Sequence, residues 1–457
     1  MDKKSIAARF RTLDFTNDRA LNSVVFYGCV RNPLRMHSYY VMDLLHAKCH
    51  VIDVSAAYTL QNFYRRLQAV KNNNYVEYRH FATLRALFQD GTYGLKQFGL
   101  LVGSLLPHHV THIGKQRFWI GTAGSHNALI CDLGEKSVTS IVPTSEDDLL
   151  GPQIAYDKES NSIDLLTYDL RGHIRMGSVE PGLKNRFSIK RYHQDAGQVQ
   201  TLWQGDINCF LVDGFRVTTD RRYAIFSDLR FALDDEHQFE PSSIYIVDLV
   251  EGRHWEIPGL KSSAHVEVDP DDPHVIYVSE HQIGIIIKDK VTESDKTKNK
   301  DLTWFATLGF VTKEVGAFVG VAAIHKYRIT DSGPVRVATF TDGKDFVRAT
   351  WHFVFKNKGR KYLGSISSPY IIIIDAETMT LHKKIKTGVM PLYGLQVSED
   401  GEQFYCNSFF DFYIIDFDSG EVKAHFNLRK REKGKVFHVS AHTTRVDGFW
   451  ESASSMG

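Results

Sequence analysis

From residue 107 onward the chain keeps returning to one pattern: an apolar residue, six of turn-like composition, another apolar residue, then a short strand. Val268-Asp269-Pro270-Asp271-Asp272-Pro273-His274-Val275, followed by Ile276-Tyr277-Val278, is the clearest copy. Val397 to Phe404, Phe355 to Tyr362, Val217 to Ala224 and Tyr156 to Ile163 share its shape. Some copies run on into a strand ending in an acidic turn, as in Tyr370 to Asp375 and Ile244 to Asp248. A last strand follows, such as His382 to Lys386 or His254 to Ile257. Two hairpins repeated as a unit are the pattern of a β-propeller blade, four antiparallel strands from innermost to outermost. Copies begin near residues 109, 153, 214, 265, 352 and 394. The double interval after 265 leaves room for a divergent blade around Leu302 to Thr341. The expectation is a mainly β chain with a seven-bladed propeller over 108–450, followed by a polar tail, 451–457. Val436 to Ser440 is expected to return to the first blade and close the ring, which removes an exposed edge. An open sandwich of similar strands is the competing fold.

Residues 1–107 read differently, as an N-terminal helical region or cap. Asn32 to Lys48 and a region from about Ala56 to Leu106 are expected as helix, with Leu60, Phe63, Tyr64 and Leu67 at helical spacing. Ser23 to Cys29, a helix, and His50 to Val54 resemble a short β-α-β unit, but Gly28-Cys29-Val30-Arg31-Asn32-Pro33 lacks the GxGxxG loop of a nucleotide site.

Charge and composition narrow the function classes. Lys+Arg is 55 against Asp+Glu 54, which speaks against nucleic acid as a partner. No run of 18 uncharged apolar residues predicts a membrane span, and the first residues lack a signal-peptide core. The five cysteines are scattered without a CxxC pair, as in a reduced, cytoplasmic protein. No GxSxG elbow, P-loop, HExxH or EF-hand loop occurs, and Asp269-Pro270-Asp271-Asp272 reads as a strand-connecting turn. The basic run Leu428 to Lys435 reads as an exposed connection.

The 21 histidines carry the site argument. In a propeller the loops entering the first strand and leaving the second emerge on one face, so residues at those two places converge near the central channel. The position three before the first apolar residue of each copy is Gln153, Gly214, His265, His352 and Gly394, with His109 and His112 flanking the equivalent place in the first blade. His126, His173 and His281 fall at the ends of second strands. Neutral imidazoles gathered from several blades suit a divalent transition metal (manganese, iron or zinc) that acidifies a proton next to a carboxylate. The candidate ligands are His352, His265, Gln153, His109 and His112, and the candidate acid–base residues are His265 and His281.

Ala264 to His281, from Ala-His through the Pro-x-Asp-Asp-like turn to Ser-Glu-His, resembles a blade of the oligogalacturonate lyases. Thr350-Trp351-His352-Phe353-Val354-Phe355 is similar to a later strand of that family. The resemblance implies a seven-bladed propeller that cleaves oligogalacturonides by β-elimination at a manganese ion, with His265 matching the base and His352 a ligand. The family's Gln-x-x-His-x-His segment has no counterpart in Pro391 to Val397. Two functions follow as expectations. One is a metal-dependent, lyase-like enzyme acting by elimination or isomerisation on a small polar substrate at the channel mouth. The other is a non-catalytic propeller whose top face binds a protein partner through Tyr393, Phe409, Phe410 and Phe412.

Overall fold

The structure, a computed structural model, describes residues 2–54 and 107–449 apart from stretches within them, the longest being 31–37, 231–240, 288–302 and 306–314. Seven antiparallel sheets form a ring around a channel. Blade 1 comprises Pro107–His112, Arg117–Thr122, Ala128–Asp132 and Ser137–Val142, and blade 2 Leu149–Asp157, Ser162–Asp169, Asn185–His193 and Gln198–Ile207. Blade 3 comprises Val212–Val217, Tyr223–Asp228, Pro241–Asp248 and His254–Lys261. Blade 4 is built from Val266–Val268, Val275–Glu280, Ala323–Thr330 and Gly333–Phe340. Blade 5 follows with His352–Asn357, Arg360–Ser367, Tyr370–Asp375 and Thr380–Lys386, and blade 6 with Leu395–Val397, Gln403–Asn407, Asp411–Asp416 and Val422–Asn427. Each blade runs from the channel outward.

Two expectations are corrected. The stretch 302–341 is not a separate blade: Ala323–Thr330 and Gly333–Phe340 are the outer half of blade 4. An inserted sheet of Ile283–Ile287, Val315–Val319 and Thr303–Phe305 separates them from its inner half. The seventh blade lies at the N-terminus instead. Ser23–Val30, Ser38–Asp43 and Lys48–Asp53 form a meander, so strand replaces the helix expected from Asn32 to Lys48 over its described part. The expected helix over 56–106 lies outside the described residues. Ring closure runs through this blade, because Thr444–Asp447 pairs with Ser23–Phe26 as its innermost strand. The N-terminus adds outermost strands to the two blades at the closure: Asp2–Ser5 to blade 1 and Arg9–Asp14 to blade 7. Ile6, Ala8 and Phe10 pack into the core those blades share.

The near-continuous apolar strands follow from burial on both faces. Alternate side chains of a strand point to opposite faces, and each face of a blade meets a neighbouring blade. In Tyr370–Asp375, Ile371 and Ile373 pack against Leu395 and Phe404 of blade 6, while Ile372 and Ile374 pack against Val275 and Tyr277 of blade 4. Each fully buried isoleucine stabilises by about 1.5–3 kcal/mol. The outermost strands lose this pattern; Gln198–Ile207 begins with four exposed residues. Cys49, Cys131, Cys209 and Cys406 are buried and free of disulfides. Among the described residues no helix is long and apolar enough to cross a membrane.

Candidate functional site in the central channel

The first strands are held at their channel ends by a recurrent hydrogen bond. The Gly214 N–H donates to Ser227 Oγ (2.8 Å), that of His265 to Ser279 Oγ (3.0 Å), and that of Gly394 to Asn407 Oδ1 (3.0 Å). A short polar side chain at the end of the second strand thus fixes the start of the first. This explains why one sequence offset recurs at the blade starts.

The connections are unequal on the two faces. Links between first and second strands, and between third and fourth, are tight turns. The inserted sheet of blade 4 and the hairpin Ile174–Arg175/Ser178–Val179 of blade 2 both join second to third strands. They therefore belong to the face on which the first strands begin. That face carries the longer chain segments.

The channel encloses a cavity of about 620 Å³ to which all seven blades contribute lining residues. Its polar wall is a chain of hydrogen bonds crossing four blades. Gln153 Nε2 donates to His109 Nδ1 (3.0 Å). Gln153 Oε1 accepts from the Phe215 N–H (2.7 Å) and from Arg216 Nη1 (2.5 Å). Arg216 then forms a salt bridge with Glu267 through Nη2 and Oε2 (3.2 Å). Arg216 Nη1 also donates to the Phe215 carbonyl (3.0 Å), and the Val268 N–H donates to Glu267 Oε1 (3.3 Å).

The histidines expected at the mouth separate into groups. The His109 and His265 rings meet edge to face at 6.3 Å although they come from blades 1 and 4, so they face each other across the channel. Both are buried. His352 lines the cavity with its Nε2 3.1 Å from the Tyr277 carbonyl. His112 lies elsewhere. Three residues beyond His109 on the same strand, it faces blade 7, against Phe118 and Phe449, and donates from Nε2 to the Lys115 carbonyl (2.8 Å). His281, His126 and His173 lie outside the described residues, as do Tyr393, Phe409 and Phe410. Phe412, expected as an exposed binding anchor, is buried in the core between blades 6 and 7.

Burial lowers the pKa of His112 and keeps its ring neutral. The unfolded chain binds this proton more readily, so the contribution is fully favourable above the ordinary histidine pKa of 6.5 and is lost as pH falls from there through the lowered value of the folded state. Wild-type protein should therefore lose more Tm than a His112→Gln variant between about pH 7.5 and 5, measured by differential scanning fluorimetry. Equal losses would place the ring in solvent.

The donor set does not suit a metal. Oxygen is the ligating atom of a glutamine, and Gln153 Oε1 already receives a guanidinium that would repel a dication. Among the described residues no group of three or more His, Cys, Asp or Glu side chains is placed to hold a metal ion. What the wall does supply is imidazole and carboxylate groups, His109, Glu267 and His352, with His265 beside His109.

Sequence reasoning missed Arg216, Glu267, Gln396 and Thr444, all of which line the cavity. The alternation of a strand holds a signal for three of them. Thr111, Ala155, Arg216, Glu267 and Gln396 each stand two residues beyond a blade-start position, hence on the same side of the strand. Compared with known protein families and with curated proteins, the sequence matches none. The seven-bladed arrangement that the resemblance implies is present, and no family match supports the oligogalacturonate lyases themselves.

Proposed function

We propose that this propeller takes a small polar molecule into its central channel. The supporting observation is the cavity itself: about 620 Å³, lined by side chains from all seven blades and crossed by the His109–Gln153–Arg216–Glu267 chain. Volumes of roughly 300–1,000 Å³ with a few convergent polar groups are typical of small-molecule sites. Fold alone does not fix the chemistry. Elimination or isomerisation by imidazole and carboxylate is within the reach of His109, His265 and Glu267. A metal-dependent version draws no support from the donor set.

A thermal-shift screen of a metabolite library on wild-type protein and on Gln396→Trp tests this reading. Gln396 is a partly exposed wall residue of blade 6, and an indole there fills channel space. Compounds that raise the wild-type Tm should lose most of that effect in the variant, whose own cooperative unfolding reports an intact ring. Hits that bind both proteins equally would place the ligand outside the channel.

A further inference from the structure

The channel wall carries charge but is balanced. Among its described residues the cations are Lys158, Arg216 and Arg221, and the anions are Asp157, Glu159 and Glu267. The two guanidinium groups are also engaged. Arg221 reaches the buried carboxylate of Asp164, which Arg191 grips from its other side at 2.7 Å and 3.0 Å. Arg216 spreads its N–H groups over Glu267, Gln153 Oε1 and the Phe215 carbonyl.

At the Arg216–Glu267 pair an anionic ligand would have to take Arg216 from Glu267. That exchange leaves the carboxylate, whose side chain is only 17% exposed, beside a second negative charge. A cationic ligand at this pair faces the converse problem, since the guanidinium already holds the Glu267 carboxylate. A ligand whose groups both donate and accept without net charge escapes both penalties. Hydroxyls fit this requirement: they can donate to the carboxylate oxygens of Glu267 and accept from the Gln396 amide and the Thr111 hydroxyl, both on the wall. The cavity also has an apolar element for the carbon face of such a molecule. Phe353 lies on the wall, and its ring is seated over Gly364, where a Cβ would come within 2.7 Å of Phe353 Cζ.

Resting on the channel as the ligand site, we infer that its ligand is a neutral, polyhydroxylated molecule of the sugar or polyol class, recognised through the Arg216–Glu267 pair. This class differs from the acidic sugars that the resemblance to oligogalacturonate lyases implies.

Isothermal titration calorimetry on the full chain with matched pairs tests the inference: galactose against galacturonate, glucose against glucuronate and against glucosamine, and myo-inositol against its monophosphate. A neutral member should bind at least tenfold more tightly than its charged counterpart, a difference of about 1.4 kcal/mol. Glu267→Gln, which keeps the shape and removes the charge, should weaken the neutral ligand by roughly tenfold or more. The matched pairs need only wild-type protein, so the result stands even where that variant folds poorly. Tighter binding of the acid, phosphate or amine in every pair overturns the inference. So does a panel without binders when the metabolite screen has found channel ligands of another class; that outcome leaves the channel reading intact. A chain that binds nothing from either collection overturns both.

Discussion

A chain ending at residue 443 should show no cooperative unfolding transition and should aggregate. The missing strand, Thr444–Asp447, pairs along the inner edge of blade 7, beside the short strand His438–Val439; the remaining strands of the blade come from the opposite end of the sequence. Its loss strips Ser23–Phe26 of their ladder partners on the inner side and opens that part of the blade edge facing the channel. The bonds from Ser23 Oγ to Asp447 Oδ1 (2.5 Å) and from Thr444 Oγ1 to the Val110 carbonyl go with it. So does Phe449, which is 1% exposed and stacks on Phe118 at the junction with blade 1. Truncating one such phenylalanine costs about 3–5 kcal/mol, against a total stability of about 5–15 kcal/mol for a typical domain. Phe449→Ala in the full chain should therefore lower stability by about 3–5 kcal/mol in denaturant titrations. A truncated chain that melts with the wild-type Tm would mean that the ring is not closed by this strand.

The second large effect comes from one added methyl group. Gly121 stands opposite His109 in blade 1, and a Cβ there would lie 2.0 Å from the Pro152 carbonyl oxygen and 2.8 Å from its carbon. Both are backbone atoms, so no side chain can swing aside; blades 1 and 2 must part. Pro152 precedes Gln153, and the opening falls on the 3.0 Å bond between Gln153 and His109. Gly121→Ala should cost roughly 3 kcal/mol or more by overpacking and should abolish ligand uptake at the channel. Gly151→Ala is the matched control. Its Cβ would meet nothing closer than 3.5 Å, so that variant should stay within about 0.5 kcal/mol of wild type by denaturant titration. Equal stability of the two variants would contradict the close apposition of the blades.

The legible part of the fold was the part with local grammar. Turns between first and second strands have a fixed composition, and six blade starts followed from it. Blade 7 was hidden because its innermost strand lies some four hundred residues from the rest, and because Tyr39-Tyr40-Val41-Met42 followed by Leu44-Leu45 suits a helix as well as a buried strand. A second local signal marks it in retrospect. Asp43, Asp248, Asp375 and Asp416 all end third strands, and each carboxylate accepts backbone N–H groups of the turn that follows. Four residues further on the backbone turns left-handed, with φ of 50° at Ala47, 72° at Gly252, 55° at Met379 and 72° at Gly420. Val41-Met42-Asp43 is thus the counterpart of Ile246-Val247-Asp248 and Ile373-Ile374-Asp375.

The site was legible to the same degree. The recurring offset brought out His109, Gln153 and His352, all on the cavity wall, and His265 beside His109. It also brought in His112, because residues three apart on a strand face opposite sides. The offset does not reveal which partners the side chains choose. That choice turned Gln153 from a candidate ligand into the link between His109 and Arg216.

The most direct test of the account is a crystal structure of the chain soaked with a compound from the thermal-shift screen. The account predicts density for that compound in the channel, within hydrogen-bond distance of Glu267 and against His352 and Phe353. Density for the compound on an outer blade surface, with the channel holding only solvent, would contradict it.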